Sequence, residues 1–328
     1  MTNSKHMIAL LRSHMDGNDD HFYSIALQIA AHEAHLGHGK LAQKLRDIVE
    51  TGRKSGRREQ GKPVLLVQPK GELSGLVEAA YPDTRLTNMV LDVDIEKALK
   101  RILTESRQRS LLREHGLSPR RKILLIGRPG SGKTMTAAAL AGELKLPLMT
   151  VLLDGIITRF LGETASKLRV IFDAMPQTRG VYFFDEFDAL GSRRTQGNDV
   201  GEIRRVLNSF LQFIEQDTSD SLIVAATNHV ELLDPALFRR FDDVIEYNLP
   251  DEKIIQRLIK TRLSAFGFKA QSWADINVAA EGLSHAEIVK ACQDAAKRVI
   301  LDSRKSVGQK DLITTLTERA ITQKQDAQ

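Results

Sequence analysis

The residues with the clearest chemistry are Gly127–Thr134, GRPGSGKT, a full G-x-x-x-x-G-K-[ST] run. Gly127, Gly130 and Gly132 let backbone N–H groups curl around phosphate oxygens, and Pro129 and Ser131 complete the loop. The helix expected behind it, TMTAAALAGEL with Thr134 and Met135 at its start, adds the positive end of its dipole. Lys133 is placed to neutralise the β- and γ-phosphates of a nucleotide, and Thr134 to offer its hydroxyl to Mg²⁺. Further along, the apolar run Val181–Phe184 ends in Asp185 and Glu186. That puts two carboxylates at the C-terminal edge of a buried strand, where open α/β sheets bind ligands. Asp185 suits an outer-sphere Mg²⁺ contact, and Glu186 a general base that aligns and polarises a water. The run Ser221–Asn228 ends in a polar amide. Asn228 can hydrogen-bond that water or the γ-phosphate; a strand-ending turn residue is the equally open reading.

These groups meet only if the chain forms a parallel sheet. The runs KILLIG, LPLMTVLLD, GVYFFDE, SLIVAATN and DVIEYNLP, separated by helical intervals, read as buried parallel strands covered by helices on both faces. They predict an α/β fold, an αβα sandwich on a five-stranded parallel sheet, over residues 86–250. Beyond Pro250 the pattern turns helical, at 251–266, 273–281, 284–302 and 309–323, so residues 251–328 form a second, all-α domain. Residues 1–52 read as three short helices, a bundle whose core is marginal by itself and which suits recruitment of a target. Residues 53–85 read as a linker: the basic, Gly-rich stretch TGRKSGRREQGK at 51–62 runs into a short strand at Pro63–Gln68.

Composition narrows the class. With 42% apolar and 27% charged residues the chain is an ordinary globular protein, which excludes disordered and fibrous readings. No run approaches 18 apolar residues and the first residues carry charge, so neither a membrane span nor secretion is expected. The single cysteine, Cys292, permits no internal disulfide and fits a cytoplasmic location. A net charge of +5 with 5% aromatics does not by itself point to nucleic acid. Six histidines lie in the first 38 residues, among them His32 and His35 in HEAHLGH. They read as solvated surface groups rather than a metal site.

GRPGSGKT, VYFFDE, ATN and DPALFRRFDD, in this order, resemble the AAA+ ATPases, in particular the protein-remodelling AAA group. The resemblance runs over about Leu86–Lys310. It implies a P-loop NTPase domain with a smaller helical lid, ATP and Mg²⁺ held between them, and a homo-oligomeric ring, usually a hexamer. It also implies that Asn228 is the sensor-1 residue. Asp234–Leu237 matches the element before the family's arginine fingers, which reach the neighbouring subunit's γ-phosphate. Arg239 and Arg240 stand adjacent there, as in spastin- and katanin-like members, and both are candidate fingers. Phe160-Leu161-Gly162 matches the pore loop that grips unfolded polypeptide, and Arg193 and Arg194 more loosely match a second pore loop. The chain departs from the family in several places. Arg128 stands where Pro is frequent, and Ile214–Gln216 replaces a common Asp-Gly. In the lid run GLSHAEIVKACQDAA, Ala286 matches, but His285 takes a position usually held by Gly beside the adenine. No Arg in that run marks a sensor-2 site.

The reading that follows is a ring-forming ATP motor that remodels, unfolds or threads protein substrates through a central pore, with service to a separate protease or effector in trans. Two alternatives stay open. A nucleic-acid-directed ATPase, such as a loader or transposition helper, is favoured by the basic linker and by the charge. A nucleotide-switched scaffold would bind ATP without useful turnover, and Glu186 speaks against it.

Overall fold

In the computed structural model the described residues are 71–156, 161–187, 200–230 and 235–326, together with positions 26, 29, 30, 38, 43, 44, 47 and 69. Contacts divide the chain into Met1–Leu66 and Val67–Gln328. In the first unit the described Ala26, Ile29, Ala30, Gln43, Lys44 and Asp47 are helical. Gln43 Nε2 donates to Asp47 Oδ1 one turn on. The expected strand at Pro63–Gln68, the basic stretch at 51–62 and His32 and His35 lie outside the described residues.

In the second unit each of the five apolar runs forms a strand: β2 Lys122–Gly127, β3 Leu148–Val151, β4 Val181–Phe184, β5 Leu222–Thr227 and β6 Asp243–Tyr247. The sheet has a sixth member that the five-strand expectation lacks. β1, Val77–Ala80, lies within the segment read as linker and pairs antiparallel with β3, Val77 opposite Val151. It is four residues of alternating burial, too short and too weakly apolar to stand out. The order is β1-β3-β4-β5-β2-β6. All pairs other than β1–β3 are parallel, with Phe184 opposite Ala225 and Ile126 opposite Thr227. The carboxyl ends of β4, β5 and β2 therefore stand side by side.

Helices α1 Val93–Arg107, α2 Arg109–Glu114, α3 Lys133–Leu144, α4 Leu161–Ala174 and α5 Val200–Gln216 surround the sheet. On one face Leu99, Ile102 and Leu103 of α1 and Ala137 and Leu140 of α3 are buried with Ile123, Leu125, Phe183 and Val224. Phe172 of α4 and Phe210 of α5 meet Phe184 of β4, with ring centroids 6.0 and 5.0 Å away. Side chains of this size contribute about 1.5–3 kcal/mol each on burial. Their effect here is local as well: they pin the end of β4.

The lid is helical as expected: α6 Glu252–Arg262, α7 Trp273–Ala280, α8 His285–Leu301 and α9 Gln309–Asp326. Its starts are written in the caps. Asp251, Ser272 and Ser284 each accept a backbone N–H from the first turn of α6, α7 and α8. Ile259, Ile288, Ala291, Cys292 and Leu312 fill a core of its own. Burial pushes the Cys292 thiol up to about 12, so it is a packing group and not a nucleophile.

Candidate active site

The phosphate loop is shaped by its glycines. Gly130 has φ +76° and Gly132, the residue before α3, has φ +107°, left-handed conformations that glycine adopts without strain. Gly127 serves differently. A Cβ there would stand 2.6 Å from the Tyr247 carbonyl oxygen, so its glycine lets β2 and β6 approach. It does not line the cleft described below. Lys133, 6% exposed, donates through Nζ to Gly127 O at 2.7 Å, Arg128 O at 3.2 Å and Asn228 Oδ1 at 2.7 Å. One ammonium thus joins the loop to the tip of β5.

Thr134 Oγ1 donates to Asp185 Oδ2 at 2.9 Å, which sets two hard oxygens side by side. The next residue is under strain: Glu186 has φ +48°, a left-handed conformation costing a non-glycine about 1–3 kcal/mol. Phe184 and Phe187, both fully buried, hold the chain on either side of the acid pair. The Glu186 N–H donates to Asp185 Oδ1 at 3.0 Å, and its side chain is left exposed. Packing over-determines the turn and aims the carboxylate out of the sheet.

These groups share one cleft of about 460 Å³ between sheet and lid. Pro129, Gly130, Ser131, Gly132, Lys133, Thr134, Met135, Asp185, Glu186 and Asn228 line it from the sheet side, and His285 and Ala286 from the lid. Asn88–Leu91, Leu258, Arg262 and Val289 also line it, and sequence reasoning missed them. Leu258 and Arg262 are four apart on α6, a shared helix face that was the available signal. Arg262 brings a lid cation to the cleft from α6, although no arginine of the α8 run does so.

The lid is fastened to the loop. Ala286 N–H donates to Gly130 O at 3.0 Å, and Arg257 Nη1 donates to Leu91 O at 3.2 Å. Two buried polar atoms in the cleft lining, Ser131 Oγ and His285 Nδ1, have no hydrogen-bond partner among the described residues. Orphaned polar atoms beside a glycine-rich loop at the start of α3 fit a polar, phosphate-bearing ligand. The oxygens of Thr134 and Asp185 likewise fit Mg²⁺.

Two predictions arise here. A Cβ at Gly130 would meet Ser284 Oγ at 2.7 Å and Ala286 Cβ at 2.9 Å, on a left-handed backbone. Gly130→Ala should therefore weaken nucleotide binding at least tenfold and lower stability by about 1–3 kcal/mol; calorimetric titration and thermal melting check both. Burial holds the His285 pKa below its ordinary value of 6.5. The folded state then binds the proton less readily than the unfolded one, so this contribution to stability is full above about pH 6.5 and declines as pH falls toward the depressed value. Melting temperature should drop between pH 7.5 and 5.5, and His285→Gln should remove part of that slope.

The arginines lie elsewhere. Arg240, its side chain 31% exposed, donates through Nε to Glu215 Oε1 at 2.7 Å, inside the replaced segment Ile214–Gln216. Arg239 is exposed and has no acceptor among the described residues. Neither lines the cleft. Pro235–Phe238 forms a single helical turn ahead of them, while Asp234 lies outside the described residues. Leu161 and Gly162 open α4; Phe160, Arg193 and Arg194 are outside the described residues.

Comparison with known proteins agrees with this geometry. Residues 123–249 match the family model described as ATPase family associated with various cellular activities (AAA). Over 323 residues the chain is 36% identical to an uncharacterized AAA family ATPase, y4kL, of Sinorhizobium fredii, covering 98% of this chain and 96% of that one. Over 221 residues it is 35% identical to a proteasome-activating nucleotidase of Saccharolobus islandicus, covering 63% of this chain and 55% of that one. The chain thus spans about half the length of that second relative. The crystal structure of the FIGL-1 AAA domain superposes with a TM-score of 0.60 at 21% identity, over 78% of this chain and 91% of that one, a likeness of fold. No helix among the described residues is long and apolar enough to cross a membrane. Identity of 36% over nearly the whole length of an AAA family ATPase, together with a cleft assembled in this way, places the chain in the AAA family of ATPases.

Proposed function

We propose that this ATPase is a cytoplasmic motor that assembles with copies of itself into a ring, six by family resemblance, and remodels, unfolds or threads protein. One observation carries the reading. The cleft gathers the phosphate loop, the acid pair and the strand-tip amide, yet Arg239 and Arg240 stand outside its lining. A site completed by a neighbouring copy accounts for that division, and a ring is the closed form of such head-to-tail contacts.

In this reading the loop N–H groups and Lys133 hold the β- and γ-phosphates of ATP. Thr134 and Asp185 hold Mg²⁺, which when bound neutralises charge on the phosphate oxygens. Glu186 takes the proton of the attacking water, and Asn228, already bonded to Lys133, fixes that water against the γ-phosphate. His285 and Ala286 close on the base from the lid. Arg239, exposed and unengaged by the described residues, crosses to the neighbour's γ-phosphate, while Arg240 is braced by Glu215. Products are ADP and phosphate. Phe160, Leu161 and Gly162 grip the polypeptide in the pore, residues 1–52 recruit it, and a separate protease or effector receives it. The nucleotidase named for proteasome activation supports that last assignment by likeness alone.

The test is capture. Glu186→Gln protein, loaded with ATP in its native cytosol, should retain a defined protein, and retention should disappear when Phe160→Ala is added. Nucleic acid retained at moderate salt and indifferent to Phe160 would replace this reading with that of a loader.

A further inference from the structure

The far end of α3 holds a second cavity. It measures about 530 Å³, and Arg85, Arg107, Arg109, Lys145 and Arg179 line it with Glu143 as the one carboxylate of its wall among the described residues. α3 is 12 residues long, so roughly 18 Å separate this cavity from the phosphate loop at the other end.

Two of the cations have a structural task. Arg85 Nη1 donates to Gly142 O at 2.6 Å and Arg107 Nη2 to Glu143 O at 3.0 Å, closing carbonyls left open where the helix ends. Arg107 also pairs with the Glu143 carboxylate. The remainder are in surplus. Arg109 and Arg113 share a single acid, Asp220, and Arg179 reaches only that residue's backbone oxygen, at 3.1 Å through Nε. The Lys145 side chain has no hydrogen bond or ion pair among the described residues and is exposed. Two carboxylates, Glu143 and Asp220, thus face six cations. Arg179 registers the imbalance: burial first, then Arg109 and Arg113, push its pKa down, with Asp220 offsetting part of this.

Lys145 adds an independent sign. It caps α3 at φ +54°, the left-handed position that glycine usually fills. A side chain kept there against strain, at the wall of a basic cavity, is the kind of outlier that accompanies function.

We propose that this cavity is a second anion site, separate from the nucleotide cleft, which binds a phosphate-bearing polyanion through Lys145, Arg109 and Arg179. Converging guanidinium forks match the several oxygens of phosphate better than a lone carboxylate, and the volume exceeds what one small anion fills.

The experiment titrates tripolyphosphate into the full-length protein with its nucleotide cleft saturated by ADP. One site per chain, tighter than about 1 mM, is expected. Arg179→Gln and Lys145→Gly should each weaken it at least tenfold. Lys145→Gly removes backbone strain, so it should melt no lower than the parent, and its lost binding then is not lost folding. An oligonucleotide that displaces tripolyphosphate identifies a strand backbone as the natural source; failure to displace identifies a free phosphate compound. No binding, binding unchanged in both variants, or equal affinity for a glutamate-rich peptide overturns the proposal.

Discussion

Glu186→Gln should bind ATP as the parent does and turn it over about 10²–10⁴-fold more slowly. The amide has the shape of the carboxylate and keeps a polar contact with water, but it cannot take up the proton. Among the described residues, no hydrogen bond or ion pair is made by the Glu186 carboxylate, so none depends on its charge. The left-handed turn at Glu186 is set by buried Phe184 and Phe187, and the bond to Asp185 comes from the Glu186 backbone. Single-turnover phosphate release and equilibrium nucleotide binding read the two quantities separately. A turnover within threefold of the parent, or a tenfold loss of affinity, would remove Glu186 from the role of base.

Arg239→Ala should have the larger effect, about 10³–10⁵-fold on turnover with nucleotide affinity retained, as for a residue that meets charge developing in a neighbour's transition state. Arg240→Ala serves as its internal control. It breaks a partly exposed pair with Glu215 that contributes at most about 1 kcal/mol, and its loss of turnover should be the smaller. The reverse ranking would give the reach to Arg240 and the bracing role to nothing in the present site. Steady-state ATPase assays at a concentration where both variants assemble like the parent decide the order.

Much of this was legible in the sequence, for physical reasons that differ between elements. The parallel strands announced themselves because both faces are covered, which leaves unbroken apolar runs such as Leu222–Ala226. The lid helices were equally plain, since Asp251, Ser272 and Ser284 sit where caps belong. β1 escaped because an edge strand of four residues buries only Val77 and Ala79. At the site, the glycine loop and acid pair, which share the cleft lining, stood out because a G-x-x-x-x-G-K-[ST] run and an acid-ended apolar strand have recognisable spacing. Met89–Leu91, Leu258 and Val289 did not, because apolar residues that line a cleft look like core until folding brings three distant segments together. Gly127 was read as a phosphate contact, but it lines no part of the cleft and works through its carbonyl on Lys133 and its close approach to Tyr247. The pair between Arg240 and Glu215 was hidden for the same reason as the cleft wall: the partners are 25 positions apart.

In the proposed ring a working site takes its cleft from one chain and its arginine from the next. Mixing two variants separates these contributions. Lys133→Ala protein keeps its arginine but should not hold nucleotide, and Arg239→Ala protein holds nucleotide but lacks the arginine. Each alone should be inactive. Assembled together from unfolded or dissociated chains in equal amounts, about a quarter of the contacts join an intact cleft to an intact arginine. ATPase activity should then reappear at roughly that fraction of the parent rate. Co-assembly without any recovered activity, or full activity of Arg239→Ala by itself, would contradict the shared site.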